Sequence, residues 1–595
     1  MHLDTLKIGN FRSFDNIEIP FNNELTVFVG ENNGGKSNAI DAIRLITTPL
    51  SGRREIYAEL TDIRFGSSIP KFEIEARFDN LSPAQQGNFL SATADMSLQS
   101  AVFGLTYDES AGKFPIRPKL WAGKSRAAPE AGCHEMIRHV YLPPLRDAKR
   151  ALASGNPTRI YALLKHFLAG EHPDELARRL SRSSEDPILL KVDDAVGSGL
   201  SALTSGVRLQ NASLGFAKDE KLIDIARDLR FKLSDHGIEP EDLRYSGHGY
   251  ANLLYMATIA VELENINNAD LTLFLVEEPE AHLHPQLQAA VLCFLEEQAE
   301  KSKKLISDTG PAGQIQIVVA THSPNLSAWV ESKNVVFFKS HSNRVPSKAN
   351  EESLTPEREP RHSSHCIPLS KLNLLDIERR KIDRYLDVTK SAFLFGGRSL
   401  LVEGVAEALL LPVIAKKFVL KDRAKDLRIF RSAVFVPIDG VDFEPYVKLL
   451  LTPYNEVTIA EKVVVITDGD KTKCADDAIW PGEARKAGLL ETAKVFKREK
   501  LLSVFVNTYS LEAELVIAGN AALMKRVYLG MHPRSEAKWD AAICKTGDEQ
   551  ASAVLAIFDD TRKGDFAQLL ADEISQGADF VVPKYLSAAI EELVK

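Results

Sequence analysis

The 595-residue sequence has only five cysteines, Cys133, Cys293, Cys366, Cys474 and Cys544. They are far apart and odd in number, which excludes a disulfide framework and a CxxC zinc site and fits reduced thiols. His362 and His365 fall in, and Cys366 directly follows, a polar, proline-punctuated stretch, 340–365, that reads as a surface loop. No apolar run reaches the roughly 18 residues that would cross a bilayer. The opening MHLDTLKIGN has no basic stretch leading into an apolar one, so a cytoplasmic protein with no membrane association is expected. A basic excess is also missing: 73 Lys and Arg face 82 Asp and Glu, a formal net charge of −9. That excludes a whole-surface attraction for nucleic acid, so contact with DNA would need a local basic face or metal ions that neutralise an acidic one. No internal repeat of fixed period is present.

What the sequence does have is apolar material, 44% of all residues against 26% charged. That supplies several cores, and the length divides into two to four domains. LKIGNFRSF and ELTVFVG read as strands, followed by a glycine-rich loop and an apolar-periodic helix, SNAIDAIRLI. More strand-like runs lead to MIRHVYLPPLRD. From 150 to about 240 the spacing becomes helical, and LTLFLVEE and QIQIVVATHS then resume an α/β pattern. The fold class is therefore α/β, with a discontinuous ATPase head (1–149 and 241–395), a helical insertion (150–240) suited to dimerisation, and a second α/β domain at 396–595.

Gly30-Glu31-Asn32-Asn33-Gly34-Gly35-Lys36-Ser37 follows a strand and opens a helix, the context a phosphate-binding P-loop requires. Gly30, Asn33 and Gly35 let backbone amides face the phosphates, Lys36 reaches the β/γ oxygens, and Ser37 binds magnesium. Glu277 and Glu278 end an apolar strand as a Walker B pair, the first for magnesium and the second, catalytic, for the attacking water. Ser246 and Gly247 begin a signature motif before a helix, and His322 stands where a γ-phosphate sensor belongs. The four motifs resemble, in content and order, the ABC ATPases of the SMC and RecF type. That resemblance implies ATP with Mg²⁺ in a composite site shared by two heads, hence a homodimer or higher homo-oligomer. Glu277 departs from the aspartate of many ABC ATPases, and no clear Q-loop glutamine stands between 60 and 120.

A second set of acids is left over. SLLVEG is an apolar strand ending in Glu403-Gly404, with Glu407 on the following helix, and VVVITDGD ends in Asp468 and Asp470. Acidic oxygen donors at adjacent strand ends form a hard-oxygen site for Mg²⁺ or Mn²⁺. The pattern resembles the Toprim domain of topoisomerases, primases and nucleases. With the head before it, and with VYLPPLRD, EEPEAHLHPQ, THSPNL and SAFLFGGRSLLVEGVAEALLLPVIA, nearly the whole chain resembles the OLD (overcoming lysogenization defect) family, which includes the Gabija nuclease subunit. The resemblance implies a two-metal DNA endonuclease in which Glu403, Asp468 and Asp470 match the Toprim core. Glu407 matches a further family glutamate and Glu512 the next acidic position, with Glu514 as competitor because strand alternation would turn both the same way. Lys563 matches the family's catalytic lysine, with Arg562 and Lys545 as alternatives. A helicase partner of the Gabija kind and a role in anti-phage defence follow from the same resemblance. The alternative is an ATP-dependent DNA clamp or sensor that does not cut.

Overall fold

The structure, a computed structural model, describes residues 1–48, 56–111, 116–144, 269–281, 283–303, 311–343, 361–386, 390–474 and 479–595. Between 145 and 268 it describes only 160–161, 164, 172–180, 222–228, 232–233, 241–242, 254–256 and 258–259. Most of the expected helical insertion, Ser246 and Gly247 lie outside the described residues.

The head is built on two sheets. The first is antiparallel and contains β1 (His2–Phe11), β2 (Phe14–Pro20), β4 (Lys71–Asp79), β5 (Ala101–Asp108) and β6 (Lys119–Ala122) in the order β2-β1-β4-β5-β6. Its strands alternate, as a sheet with one wet face does: in KFEIEARFD, Phe72, Ile74, Ala76 and Phe78 are buried. The second sheet contains β3 (Leu25–Gly30), β7 (Ile137–Leu142), β10 (Leu271–Glu277), β11 (Gln314–Ala320), β12 (Val335–Asn343) and β13 (Arg361–Pro368). Its order is β13-β12-β3-β11-β10-β7. A short antiparallel pair, β8 (Lys232–Leu233) and β9 (Glu241–Asp242), stands apart from both sheets. β3 and β10 are buried at every position, the pattern of parallel strands covered on both faces.

The helix Lys36–Thr47 lies between the two sheets. Ile40, Ile43 and Ile46 share one core with Phe11, Phe72 and Phe78 of the antiparallel sheet and with Leu271, Leu273 and Leu275 of β10. The opposite face of the second sheet, through Val27, Val29 and Val276, packs on the helix Pro285–Lys303.

The region 361–368 is not the loop expected from its polarity. Arg361–Pro368 pairs with β12 along its whole length and buries Ser363, Ser364, Cys366 and Ile367. Small hydroxyl and thiol side chains read as polar in sequence yet fit a tightly packed strand, where backbone pairing satisfies their amides.

The C-terminal region contains a further sheet of β14 (Arg398–Val402), β15 (Val434–Pro437), β16 (Lys462–Thr467) and β17 (Leu502–Val506), all parallel in the order β15-β14-β16-β17. Val463 and Val465 of β16 face the core shared with the head, while Val464 and Ile466 face the C-terminal helices. The head and the C-terminal sheet are thus joined by continuous apolar packing. Lys339 of β12 adds a polar tie: it is buried, and its ammonium donates to the carbonyls of Thr458 and Ile459 at 3.4 and 3.1 Å. Among the described residues, no helix is long and apolar enough to cross a membrane.

Candidate active sites

Parallel pairing brings the head's motifs to one sheet edge. Phe28 pairs with Ala320 and Ala320 with Glu277, so the P-loop, the residues after β11 and the Walker B acids leave the sheet side by side. This is the crevice outside the carboxyl ends of the strands where open α/β sheets bind ligands. Gly30 has φ +123°, and a Cβ there would lie 2.1 Å from the Phe338 carbonyl oxygen, so β12 presses on the loop where only glycine fits. Asn33 takes φ +67° within the loop.

Lys36 is buried and donates to the carbonyls of Gly30 and Glu31, both at 2.8 Å. Burial lowers its pKa to about 8, against the raising effect of Glu278 and Glu280. The Ser37 hydroxyl donates to Glu277 Oε2 at 3.4 Å. Burial, with Asp41 next, pushes the Glu277 carboxyl up to about 7. Glu278 adopts φ +46°, and its carboxylate is 4.0 Å from His322 Nε2. Burial and then Lys36 lower the His322 pKa, which favours the neutral ring.

Three residues of this site escaped sequence reading. Glu280 is half-buried and accepts from the His322 amide at 2.7 Å, fixing the loop of His322 against the turn after Walker B. Arg12 bridges Asp41 and Asp62 at 2.6 and 2.8 Å, anchoring the helix after the P-loop to the antiparallel sheet. Tyr141 of β7 lies against Arg44, 3.7 Å from the ring centroid, and burial followed by Glu277 raises its hydroxyl pKa. A carboxylate two positions past Walker B is a readable signal for Glu280; Arg12 and Tyr141 come together only through the fold.

The second set of acids also converges at strand ends. β14 and β16 pair in register from Arg398↔Lys462 to Val402↔Ile466, so Glu403 meets the turn after β16. Glu403 Oε1 accepts from the Asp468 amide at 2.8 Å and from the Thr467 hydroxyl. Asp468 Oδ1 accepts from Asn507 Nδ2 at 2.6 Å, and Asn507 Oδ1 accepts from the Gly469 amide at 2.8 Å. The glycine between the two aspartates is a steric requirement: a Cβ on Gly469 would lie 2.3 Å from the Asn507 carbonyl oxygen. Asp470 takes φ +53°, which turns its carboxylate away from the line of the strand.

Glu407 and Glu512 are both buried, from the helices Val405–Ile414 and Leu511–Leu515. Glu407 Oε2 accepts from the Gly404 amide at 3.2 Å. Burial, then Glu512 and Glu403, pushes its carboxyl to about 7. Burial followed by Glu403, Glu407 and Glu512 raises Asp468 well above the usual carboxylate range. Neighbouring carboxylate oxygens of this kind have the donor chemistry of a hard divalent cation site.

Three cations share this space. Arg485, on the helix Pro481–Val495, donates to Glu403 at 2.8 Å and lies 3.8 Å from Asp470. Lys473 pairs with Asp470 at 2.8 Å, and Lys563 with Glu512 at 3.3 Å. Among the described residues, no three Asp, Glu, His or Cys side chains are gathered as a ready metal cage.

The structure separates Glu512 from Glu514. Both lie on a helix and not on a strand, so side chains two positions apart diverge by about 200°. Glu512 faces the acids, and Glu514 accepts from the Thr508 and Tyr509 amides at 2.8 and 3.3 Å. Lys563 opens the helix Lys563–Ser575, while Arg562 is 88% exposed and turned toward Asp565, and Lys545 lines a neighbouring cavity. Arg485 and Asn507 were missed. Asn507 could have been found as the polar residue ending a third parallel strand; nothing near Arg485 in sequence points at the acids.

Residues 1–109 and 210–326 match the family model described as "AAA ATPase domain". The head carries an ATPase domain. The DNA replication and repair protein RecF of Oceanobacillus iheyensis is 37% identical over 73 residues, 12% of this chain and 19% of that protein. The chain thus spans about a fifth of the length of this curated relative. Among solved structures, the C-terminal region of the Burkholderia pseudomallei OLD protein is 25% identical, covering 33% of this chain and 97% of that one, with a TM-score of 0.27. An SMC head bound to the C-winged helix domain of ScpA is 17% identical over 56% of this chain and 93% of that one, with a TM-score of 0.36.

Proposed function

We propose that this chain is a divalent-metal-dependent DNA endonuclease of the OLD type, gated by nucleotide at its ATPase head. The observation that supports the reading best is that Glu403 and Asp468, at the ends of neighbouring parallel strands, act electrostatically on each other and on Glu407 and Glu512 of two flanking helices, with Glu403 accepting from the Asp468 amide. A surface meant only to bind phosphates would not concentrate negative charge there. The residues suited to hold two Mg²⁺ or Mn²⁺ ions are Glu403, Asp468 and Asp470 on one side and Glu407 and Glu512 on the other, the Toprim pattern read from the sequence. When bound, such ions supply a hydroxide nucleophile and stabilise the leaving 3′ oxygen.

The chain's own groups do the rest. Asn507 and the Thr467 hydroxyl fix the orientation of Asp468 and Glu403. Lys563 is 43% exposed at the mouth of the site, placed to offset charge on a phosphate that approaches from solvent. Arg485 holds Glu403 and Asp470 until a cation takes over their charge. In the head, Lys36, Ser37 and Glu277 bind ATP with Mg²⁺, and Glu278 with His322 senses its γ-phosphate. Two heads closing on ATP make a homo-oligomer, and the packing of β16 against the head core offers a route from nucleotide to acids. Anti-phage defence, alone or with a helicase partner, is the biological setting this reading suggests.

One observation favours the competing reading, an ATP-dependent DNA clamp that does not cut: Arg485 already neutralises Glu403. Supercoiled plasmid incubated with the purified protein and Mg²⁺ or Mn²⁺, with and without ATP, separates the two. The nuclease reading expects nicked or linear product that disappears in Glu403→Ala and Asp468→Ala while ATP binding persists. Plasmid that is bound but stays intact under every condition would leave the clamp.

A further inference from the structure

The turn after Asp470 serves two places at once. Its left-handed backbone sends the Asp470 carboxylate toward Arg485 and Lys473, whereas the next side chain, Lys471, enters a separate cavity of about 460 Å³. Trp480, Lys545, Asp548 and Glu549 line that cavity too. The Lys471 ammonium lies 5.7 Å from the Trp480 ring centroid and 5.8 Å from that of Tyr509. Asp548 Oδ1 holds the group together, 2.8 Å from Lys471 Nζ and accepting the Tyr509 hydroxyl at 2.5 Å. Lys545 and Glu549 are exposed and make no ion pair among the described residues. Trp480 caps the helix that carries Arg485 into the acids, so the cavity and the acidic cluster are fixed relative to each other by one rigid element.

These groups do nothing for the acidic cluster, and together they have the chemistry of a nucleobase. We propose that the cavity is a base-binding subsite that takes one unstacked base of the DNA strand beside the phosphate held at the acids. The proposal rests on the nuclease reading. An indole face stacks any base, and the Lys545 ammonium offsets the charge of a flanking phosphate. Asp548 and Glu549 argue against a bare phosphate or other small anion, which they would repel. They accept instead from an exocyclic amine, which favours cytosine, adenine and guanine over thymine. The volume falls in the range of small-ligand pockets and is ample for one base that leaves the helix or comes from a single strand.

The test uses the full chain and a short fluorescein-labelled single strand, with Ca²⁺ in place of Mg²⁺ so that binding is read without cleavage. Trp480→Ala should weaken binding about 5- to 150-fold, the loss of one stacked base, and Trp480→Phe should retain most of it. Lys545→Glu, a change at an exposed position that leaves the fold intact, should also weaken binding. One abasic position in the strand should cost the wild type the same factor and cost Trp480→Ala nothing further. Wild-type affinity in both Trp480→Ala and Lys545→Glu would overturn the subsite, even where Glu403→Ala shows that the protein is a nuclease. Trp480-dependent binding by a protein that never cleaves would keep the subsite and remove the nuclease reading.

Discussion

Arg485 offers the sharpest perturbation of the acidic site. Its guanidinium is 15% exposed, and it donates to a Glu403 side chain that is 17% exposed and to the Thr467 hydroxyl. Removing one partner of a buried pair costs about 3–5 kcal/mol, because the other charge stays behind uncompensated. Both groups keep some contact with water, so about 2–4 kcal/mol is the expected loss for Arg485→Ala. In a domain of this size 1 kcal/mol moves the melting temperature by about 2–4 °C, which makes the shift roughly 5–15 °C in EDTA. A divalent cation should then rescue the variant, since an ion at a hundred times its Kd contributes about 2.7 kcal/mol. The wild type should gain less, because the ion must first displace Arg485. Scanning calorimetry of both proteins in EDTA, Mg²⁺ and Mn²⁺ reads this directly. Equal melting in EDTA, or a variant indifferent to Mn²⁺, would refute the reasoning.

Other expectations follow from single contacts. Glu512→Ala should abolish metal-dependent cleavage at nearly unchanged stability, whereas Glu514→Ala should keep the cleavage and lose about 1–3 kcal/mol in denaturant titration, because two amides lose their acceptor. Lys339→Met should cost about 2 kcal/mol by the same measurement, since buried carbonyls at Thr458 and Ile459 lose their donor; an unchanged midpoint would show that this tie is idle. His139 is held neutral by burial, with a pKa lowered from 6.5 to about 4. The unfolded chain therefore takes up a proton first as pH falls, and stability should drop between pH 6.5 and 4 by up to about 3 kcal/mol. His139→Gln should flatten that acid limb, as followed by melting temperature against pH.

Motifs at the ends of apolar strands were the legible part. The P-loop, the Walker B acids, Glu403 and Asp468 each follow a run of buried residues, so strand pairing had to bring them to a common edge once the sheets were parallel. Polarity misled at 361–368, where serine, histidine and cysteine pack as a strand because backbone pairing and small volume outweigh side-chain polarity. Alternation misled at Glu512 and Glu514, since the apolar run ends at Val506 and the acids sit on a helix. Arg485 was invisible because its helix turns back onto acids drawn from two separate strand ends, 82 residues before it at Glu403 and 17 at Asp468, by packing that no local pattern encodes. Ser246 and Gly247 lie outside the described residues, and their part in a composite site stands on the sequence alone.

The central claim is that the acids at the end of β14 and β16 hold divalent cations, and anomalous scattering from crystals grown with Mn²⁺ tests it most directly. The account predicts a peak about 2.0–2.3 Å from oxygens of Glu403 and Asp468, with the Arg485 guanidinium moved off Glu403. No anomalous peak at millimolar Mn²⁺, with Arg485 still bonded to Glu403, would contradict it.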